Sequence, residues 1–407
     1  MSPRTPSVDP IAPPPARRRR PARARPIPFH RVALRESDVE AVAAVLRSGW
    51  LTTGPRAREL ERALAQLLGR PHVLGVSSAT AALFLLYRAA GVGPGDEVLV
   101  PAMTFVATAA AAVHLGARPV FVDVDEETLL LDPHDLARRV NSRTRLIAPV
   151  HYAGQPCDLG PILEIARGGS IAVVEDAAHC LTGRHGSRRP GEGTLGAALS
   201  FYATKELPTG EGGALASDDE AVVERARRAS LHGISRPAWA RMQVGARAVY
   251  DVEEIGFKMN LPDLLAALGL AQLPRMEAQR ARREALACRY AERLSGIPGV
   301  RPLPRRPGFV SAHHLEVVRV ERALAGLDRD ELAAQLAERG IGTSVHFVPL
   351  PELSVFRRRF GTRAADCPRA ARAGGEVLSL PLHPELADDE VDEVAAAIRE
   401  IVEARAP

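Results

Sequence analysis

Two lysines stand in this chain of 407 residues, Lys205 and Lys258; every other member of its 53 basic residues is arginine. A guanidinium stays protonated at any pH a protein meets. Lysine can shed its proton and form an imine with a carbonyl. The two survivors are therefore candidates for work that arginine cannot do, against the alternative of survival by chance. Lys205 lies in SFYATKELPTGEGG, residues 200–213, a small, polar, glycine-rich segment unlike a helix face. Other signals are spread along the chain. Ser77-Ser78-Ala79-Thr80 sits between a strand pattern and a helix start, where amides, a hydroxyl and the helix dipole make either a phosphate site or a simple helix cap. Asp176 ends an apolar strand, with His179 three residues on. An Asp so placed can hold a ring nitrogen protonated, or cap the next turn. Phe105 can stack on a ring face or pack in the core.

The elements that must position these residues alternate. Strand patterns at 73–76, 97–100, 119–122, 146–150, 171–175, 197–201 and 213–216 are separated by helical ones, which implies a mostly parallel sheet covered on both faces. Ligands of such sheets bind beyond the carboxyl ends of the strands, where Ser78, Phe105, Asp176, Ser200 and Lys205 all fall. A phosphate cup, a ring stacker, a pyridine-nitrogen partner and a Schiff-base lysine, in this strand order, point to a pyridoxal phosphate (PLP) enzyme of the aspartate-aminotransferase fold, fold type I. Upstream, Val39, Val42, Val45 and Leu46 share one side of a helix at 36–48. Residues 262–295 read as a long helix kinked at Pro274. Beyond Gly296, strand patterns at 315–320, 342–347 and 377–380 with helices at 328–339 and 388–404 indicate a smaller α+β domain. The expected division is a disordered Arg/Pro tail at 1–26, a large PLP-binding domain at 27–273 and a small C-terminal domain at 274–407.

Composition excludes several classes. Residues 1–26 hold seven arginines and one Asp, so more than the whole formal charge of +4 sits in the tail and the body gives no case for nucleic-acid binding. The tail lacks a signal-peptide core, and no apolar run reaches the length of a membrane span. Cys157, Cys180, Cys288 and Cys367 are widely spaced, which fits reduced thiols in the cytoplasm and neither a metal site nor a disulfide framework.

Nine ordered stretches resemble the DegT/DnrJ/StrS family of PLP-dependent sugar aminotransferases, from about Ile27 to the C-terminus. They are GWLTTGP (49–55), GDEVLVPAMTFVAT (95–108), FVDVD (121–125), PVHYAGQPCDL (149–159), VVEDAAHC (173–180), SFYATKELPTGEGG (200–213), GFKMNLPDLLAALGLAQL (256–273), GTSVHFVPL (342–350) and LSLPLHP (378–384). The resemblance implies that Lys205 carries the Schiff base and shuttles protons, that Asp176 pairs with the pyridine nitrogen and that His179 lies near the ring hydroxyl. Ser78, Ala79, Thr80 and Ser200 would hold the phosphate, Phe105 would stack on the ring, and Asn260 would reach the phosphate of the partner subunit in a homodimer with shared sites. It further implies an amino donor, L-glutamate, and a ketosugar carried on a nucleotide. The compact TKELPTGEGG is similar to members that aminate at C4, and RASLHGISRPAW (228–239) to those acting on 4-keto-6-deoxy sugars. Trp50, His151, Lys258 and His346 are candidate substrate contacts, with local packing as the alternative for each.

Some positions depart from the family pattern. Glu206 stands for the usual Asn after the lysine, Pro208 for a Thr, and Pro351 near a customary His. The PLP chemistry is untouched by them, but the sugar preference is left open. A C3-ketosugar, a ketocyclitol, and a regulatory homologue without turnover stand as alternatives. The last predicts loss of catalytic groups, yet Lys205, Asp176 and Thr80 are present.

Overall fold

The computed structural model describes residues 25–235, 239 and 249–405. Nearly all of the Arg/Pro tail expected to be disordered lies outside the described residues, as do residues 236–238 of the RASLHGISRPAW stretch.

Seven strands form the central sheet: β1 (His72–Val76), β2 (Glu97–Pro101), β3 (Arg118–Val122), β4 (Thr144–Ile147), β5 (Ala172–Asp176), β7 (Gly196–Ser200) and β8 (Gly213–Ser217). Their spatial order is β1-β8-β7-β5-β4-β2-β3. All neighbours run parallel except at β8, which is antiparallel to both β1 and β7. The residues of β2 are buried throughout, as befits a strand covered on both faces, where a continuous apolar run replaces alternation. Each fully buried Leu or Val contributes about 1.5–3 kcal/mol. Helices Ala79–Ala89 and Val106–His114 pack over the same core as β2, β4 and β5. Between β5 and β7, Arg184–His185 (β6) pairs with the later Phe309–Val310 (β10) as a two-stranded ribbon.

Local chemistry starts the helices. Asp158 accepts from Gly160 N, Asp219 from Ala221 N, and Asp328 forms a reciprocal capping box with Glu331. The long C-terminal helical stretch breaks where Pro274 denies it an amide: Asp263–Gln272, a 3₁₀ turn at Leu273–Arg275, then Met276–Leu294. Beyond it, Val300–Pro302 (β9), Glu316–Val320 (β11) and Val377–Leu380 (β12) make an antiparallel sheet in the order β12-β11-β9, covered by Asp388–Glu403.

Two expectations are revised. The pattern at 342–347 does not become a ladder strand; it touches β12 at the single bridge Ser344–Ser379. Its polar backbone finds side chains instead, since Tyr152 Oη donates to His346 O and Phe347 N meets Met103 Sδ at 3.4 Å. The helix Glu36–Ser48 buries only part of its apolar side: Val45 is inside, whereas Val39 and Leu46 are each 55 % exposed.

Candidate active site

A cavity of about 500 Å³ opens at the carboxyl ends of β1, β2, β5 and β7. Ser78, Ala79, Thr80, Phe105, Asp176, His179, Ser200, Lys205 and His346 all line it. β1 runs into Ser77, whose amide donates to Met259 O at 2.7 Å. Ser78 then caps the next helix, its Oγ accepting from Ala81 N at 3.1 Å. The preceding helical amides, at Ala79 and Thr80, have no acceptor within the helix. Gly213 opens β8 against this turn: a Cβ there would stand 2.5 Å from Ser78 C and 2.6 Å from Ala79 N, so only glycine permits the approach. The result is an amide cradle suited to a phosphate.

Asp176 is 5 % exposed at the end of β5. Thr108 Oγ1 donates to its Oδ2 at 2.7 Å and Ala178 N to its Oδ1 at 3.1 Å. Burial raises its proton affinity, and the Thr108 and Ala178 bonds, with the Lys205 and His151 charges, pull the other way. A cationic ring nitrogen is the partner such a carboxylate lacks. Lys205 projects from the hairpin between β7 and β8. Burial lowers its pKa to about 8, opposed by Asp176 and Glu206, so a useful fraction of free amine exists near neutral pH.

Histidines surround the amine. His314 Nε2 is 3.4 Å from Lys205 Nζ, and the His179 and His314 ring centroids are 4.4 Å apart. Phe347 stacks on His179 at 5.8 Å, while His346 Nδ1 is 2.9 Å from Ser379 Oγ. Burial pushes His179 and His314 well below the usual histidine range and His346 to about 4, with the Lys205 charge adding to each shift. The rings are neutral at physiological pH. His179 Nδ1 is buried with no hydrogen-bond partner. The open polar atom, the amide cradle and the free amine fit a phosphorylated pyridine aldehyde.

Four of the expected site residues do not line this cavity. Trp50, Lys258 and Asn260 form a cluster of their own: Trp50 Nε1 donates to Thr53 O at 3.4 Å, Asn260 Nδ2 to Thr53 Oγ1 at 2.6 Å, and Lys258 Nζ to Asn260 Oδ1. His151 is 2 % exposed and sits behind the strand ends. Its Nε2 is 2.8 Å from Glu175 Oε2 and its Nδ1 accepts from Cys157 N at 3.0 Å. Burial would lower its pKa, whereas the Cys157 and Glu175 side chains raise it; the Cys157 amide on Nδ1 leaves Nε2 as the nitrogen that donates to Glu175. Of the departures from the family pattern, Glu206 and Pro351 are buried away from the cavity. Sequence reasoning missed His30, Thr108, His314 and Phe347. The His313-His314 pair just ahead of the apolar β11 was a readable signal; Thr108 and Phe347 carried none.

A profile of the DegT/DnrJ/EryC1/StrS aminotransferase family matches residues 32–399. The spore coat polysaccharide biosynthesis protein SpsC of Bacillus subtilis (strain 168) is 43 % identical over 378 residues, covering 92 % of this chain and 97 % of that protein. Among solved structures, the putative sugar aminotransferase Spr1654 of Streptococcus pneumoniae in its PMP form superposes with a TM-score of 0.87 at 33 % identity, over 93 % of this chain and 100 % of that one. DesI, solved in the presence of its TDP-sugar product, superposes with a TM-score of 0.84 at 30 % identity, over 94 % and 95 %. By sequence over nearly its whole length and by fold, the chain belongs to the DegT/DnrJ/EryC1/StrS aminotransferase family and is a PLP-dependent sugar aminotransferase of fold type I.

Proposed function

We propose that the protein transfers an amino group from L-glutamate to a nucleotide-linked keto-deoxy sugar, at C4, in the making of a surface polysaccharide or glycosylated product. The observation that carries the reading is the partly neutral amine of Lys205 in a cavity that also holds Asp176 and the Ser78–Thr80 cradle. When bound, PLP supplies an aldehyde that accepts the amino group and a protonated ring that withdraws electrons from the bond being broken.

The chain's residues do the rest. Ser78, the Ala79 and Thr80 amides and Ser200 would hold the phosphate. Asp176, kept in register by Thr108, would keep a proton on the ring nitrogen. Phe105 and His179 would confine the ring. Lys205 would anchor the cofactor and, as a free amine, would carry the proton to and from the carbon that exchanges the amino group. The neutral His314 and His346 line the substrate side and exclude water. We assign 27–273 to the cofactor-binding unit and 274–407 to the unit that closes over it.

The nucleotide-sugar acceptor is supported by DesI, the polysaccharide by the name of SpsC, and C4 by the TKELPTGEGG stretch. A homodimer with shared sites is supported by the Trp50–Lys258–Asn260 cluster, which does not reach its own cavity, and by the exposed Leu34, Val39, Leu46 and Leu51 nearby in sequence. Four free cysteines fit the cytoplasm. Borohydride reduction of the purified yellow protein should leave the cofactor covalently on the Lys205 peptide. Protein that stays colourless with added PLP refutes the reading. Assays of C4- and C3-ketosugar nucleotides and ketocyclitols side by side, with glutamate, decide the acceptor.

A further inference from the structure

Glu206 follows Lys205 directly, yet its side chain turns away from the cavity and is 3 % exposed. Its Oε2 accepts from Leu181 N at 2.6 Å. Its Oε1 accepts from Thr182 Oγ1 at 2.5 Å and Thr182 N at 3.2 Å. Those donors belong to the turn that leaves β5, the same turn that carries His179 and begins at Asp176. Two segments separated by β7 in the chain, each bearing active-site groups, are thus tied through one carboxylate. Donors face both oxygens, so protonating either would set a donor against a donor. Burial raises the Glu206 carboxyl overall, against the opposing pull of Thr182, the buried Arg283 and the two amides; three donors on its two oxygens favour the ionised form. The usual Asn of the family has a single acceptor oxygen on a shorter arm and cannot make this set of bonds.

We propose that Glu206 is a positioning residue that fastens the turn at 177–182 to the Lys205 hairpin and, through its charge, favours the protonated state of the lysine–cofactor linkage. The inference rests on Lys205 being the cofactor lysine. The groups around that amine are Asp176, His179, His314 and His346, with His30 and Glu211 also lining its cavity and Glu206 and Arg283 behind it. The histidines are neutral, so Asp176 and Glu206 supply the negative charge.

The test uses PLP-loaded protein with Glu206→Gln, Glu206→Asn and Glu206→Asp. Two quantities are read: the pH midpoint of the visible absorbance of the linkage, and hydrogen exchange of the peptide spanning 177–182. Gln and Asn should each lower the midpoint by about one unit and speed exchange of that peptide about tenfold, leaving peptides of the β9-β11-β12 sheet unchanged. Asp should hold the midpoint near that of the unsubstituted protein. A Gln variant with midpoint and exchange both unaltered overturns the proposal. Should that variant not fold, Thr182→Val removes one bond and keeps the charge. It should speed exchange at an unshifted midpoint, and unaltered exchange there overturns the tie. Unsubstituted protein that shows no visible band and fixes no cofactor with borohydride refutes the cofactor reading itself, a different outcome from any of these.

Discussion

His314 Nε2 stands 3.4 Å from Lys205 Nζ, inside hydrogen-bonding reach of an amine whose pKa burial has already brought to about 8. Burial also keeps the His314 ring neutral, so its nitrogen can accept from the lysine without competing for the positive charge. The Lys205 amine therefore titrates close to neutral pH beside a ring that stays uncharged.

Capture of PLP by the apoprotein needs the free amine, so its rate should rise with pH through about 8 and then level off. An ordinary lysine, near 10.5, would still be gaining rate at pH 9.5. Stopped-flow absorbance from pH 6.5 to 10 distinguishes the two; a curve without a plateau removes the perturbed amine from the account.

Lys205→Arg preserves the charge and abolishes the nucleophile. Turnover should fall by about 10³ or more, with the fold intact by circular dichroism. Near-normal activity would end the assigned role.

Thr108 Oγ1 holds Asp176 Oδ2 at 2.7 Å. Thr108→Val replaces that donor by a methyl of similar size, and hydrogen bonds to charged groups contribute about 1.5–3 kcal/mol. Cofactor affinity should weaken roughly tenfold or more, and Asp176→Asn should weaken it further. Equilibrium dialysis of PLP against both variants checks the order, which fails if Thr108→Val binds as tightly as the parent.

If Asn260 serves the partner's site, mixing inactive Lys205→Ala with inactive Asn260→Ala protein should restore activity. Half of the dimers are then mixed, each with one intact site, so about a quarter of the parent activity is expected. No recovery after subunit exchange, confirmed by tag-based pull-down, would exclude a shared site.

Acid stability should follow the buried histidines. Burial depresses His30 and His383 to about 4 in the folded chain, against about 6.5 when unfolded. Between those values the unfolded chain takes up protons that the folded chain refuses, so stability falls as pH drops from about 6.5 toward 4. Melting temperatures measured from pH 7 to 4.5 should show this slope, and His383→Phe should flatten it. Parallel curves for the variant and the parent would assign acid sensitivity to other groups.

The strand ends announced themselves in the sequence because apolar runs stop there at residues of unlike chemistry: Val76 before Ser77 and Ser78, Val174 before Glu175 and Asp176, Leu199 before Ser200. The glycine-rich segment 200–213 set Lys205 just past a strand and off any helix face, while the antiparallel return of β8 that makes it a hairpin was not readable. What the sequence hid depends on long-range packing. Thr108 sits within an alanine-rich helix and gains meaning only where that helix crosses the end of β5. His151 reads as a site residue by its neighbours, yet Glu175 and Cys157 hold it behind the strands. Residues 342–347 have the composition of a strand, but Tyr152 and Met103 take the contacts that a ladder would need.

The reversal of β8 has a mechanical consequence. Ser200 ends β7 opposite Gly213, which begins β8, so the span 201–212 is clamped at its root by two bonded strands. A parallel crossover would have left the lysine on a long, one-ended connection. Here both ends of the connection are bonded to one another, and with Lys205 as the proposed cofactor lysine, the swing between releasing one amine and delivering a proton falls to four methylenes hung from the edge of paired strands.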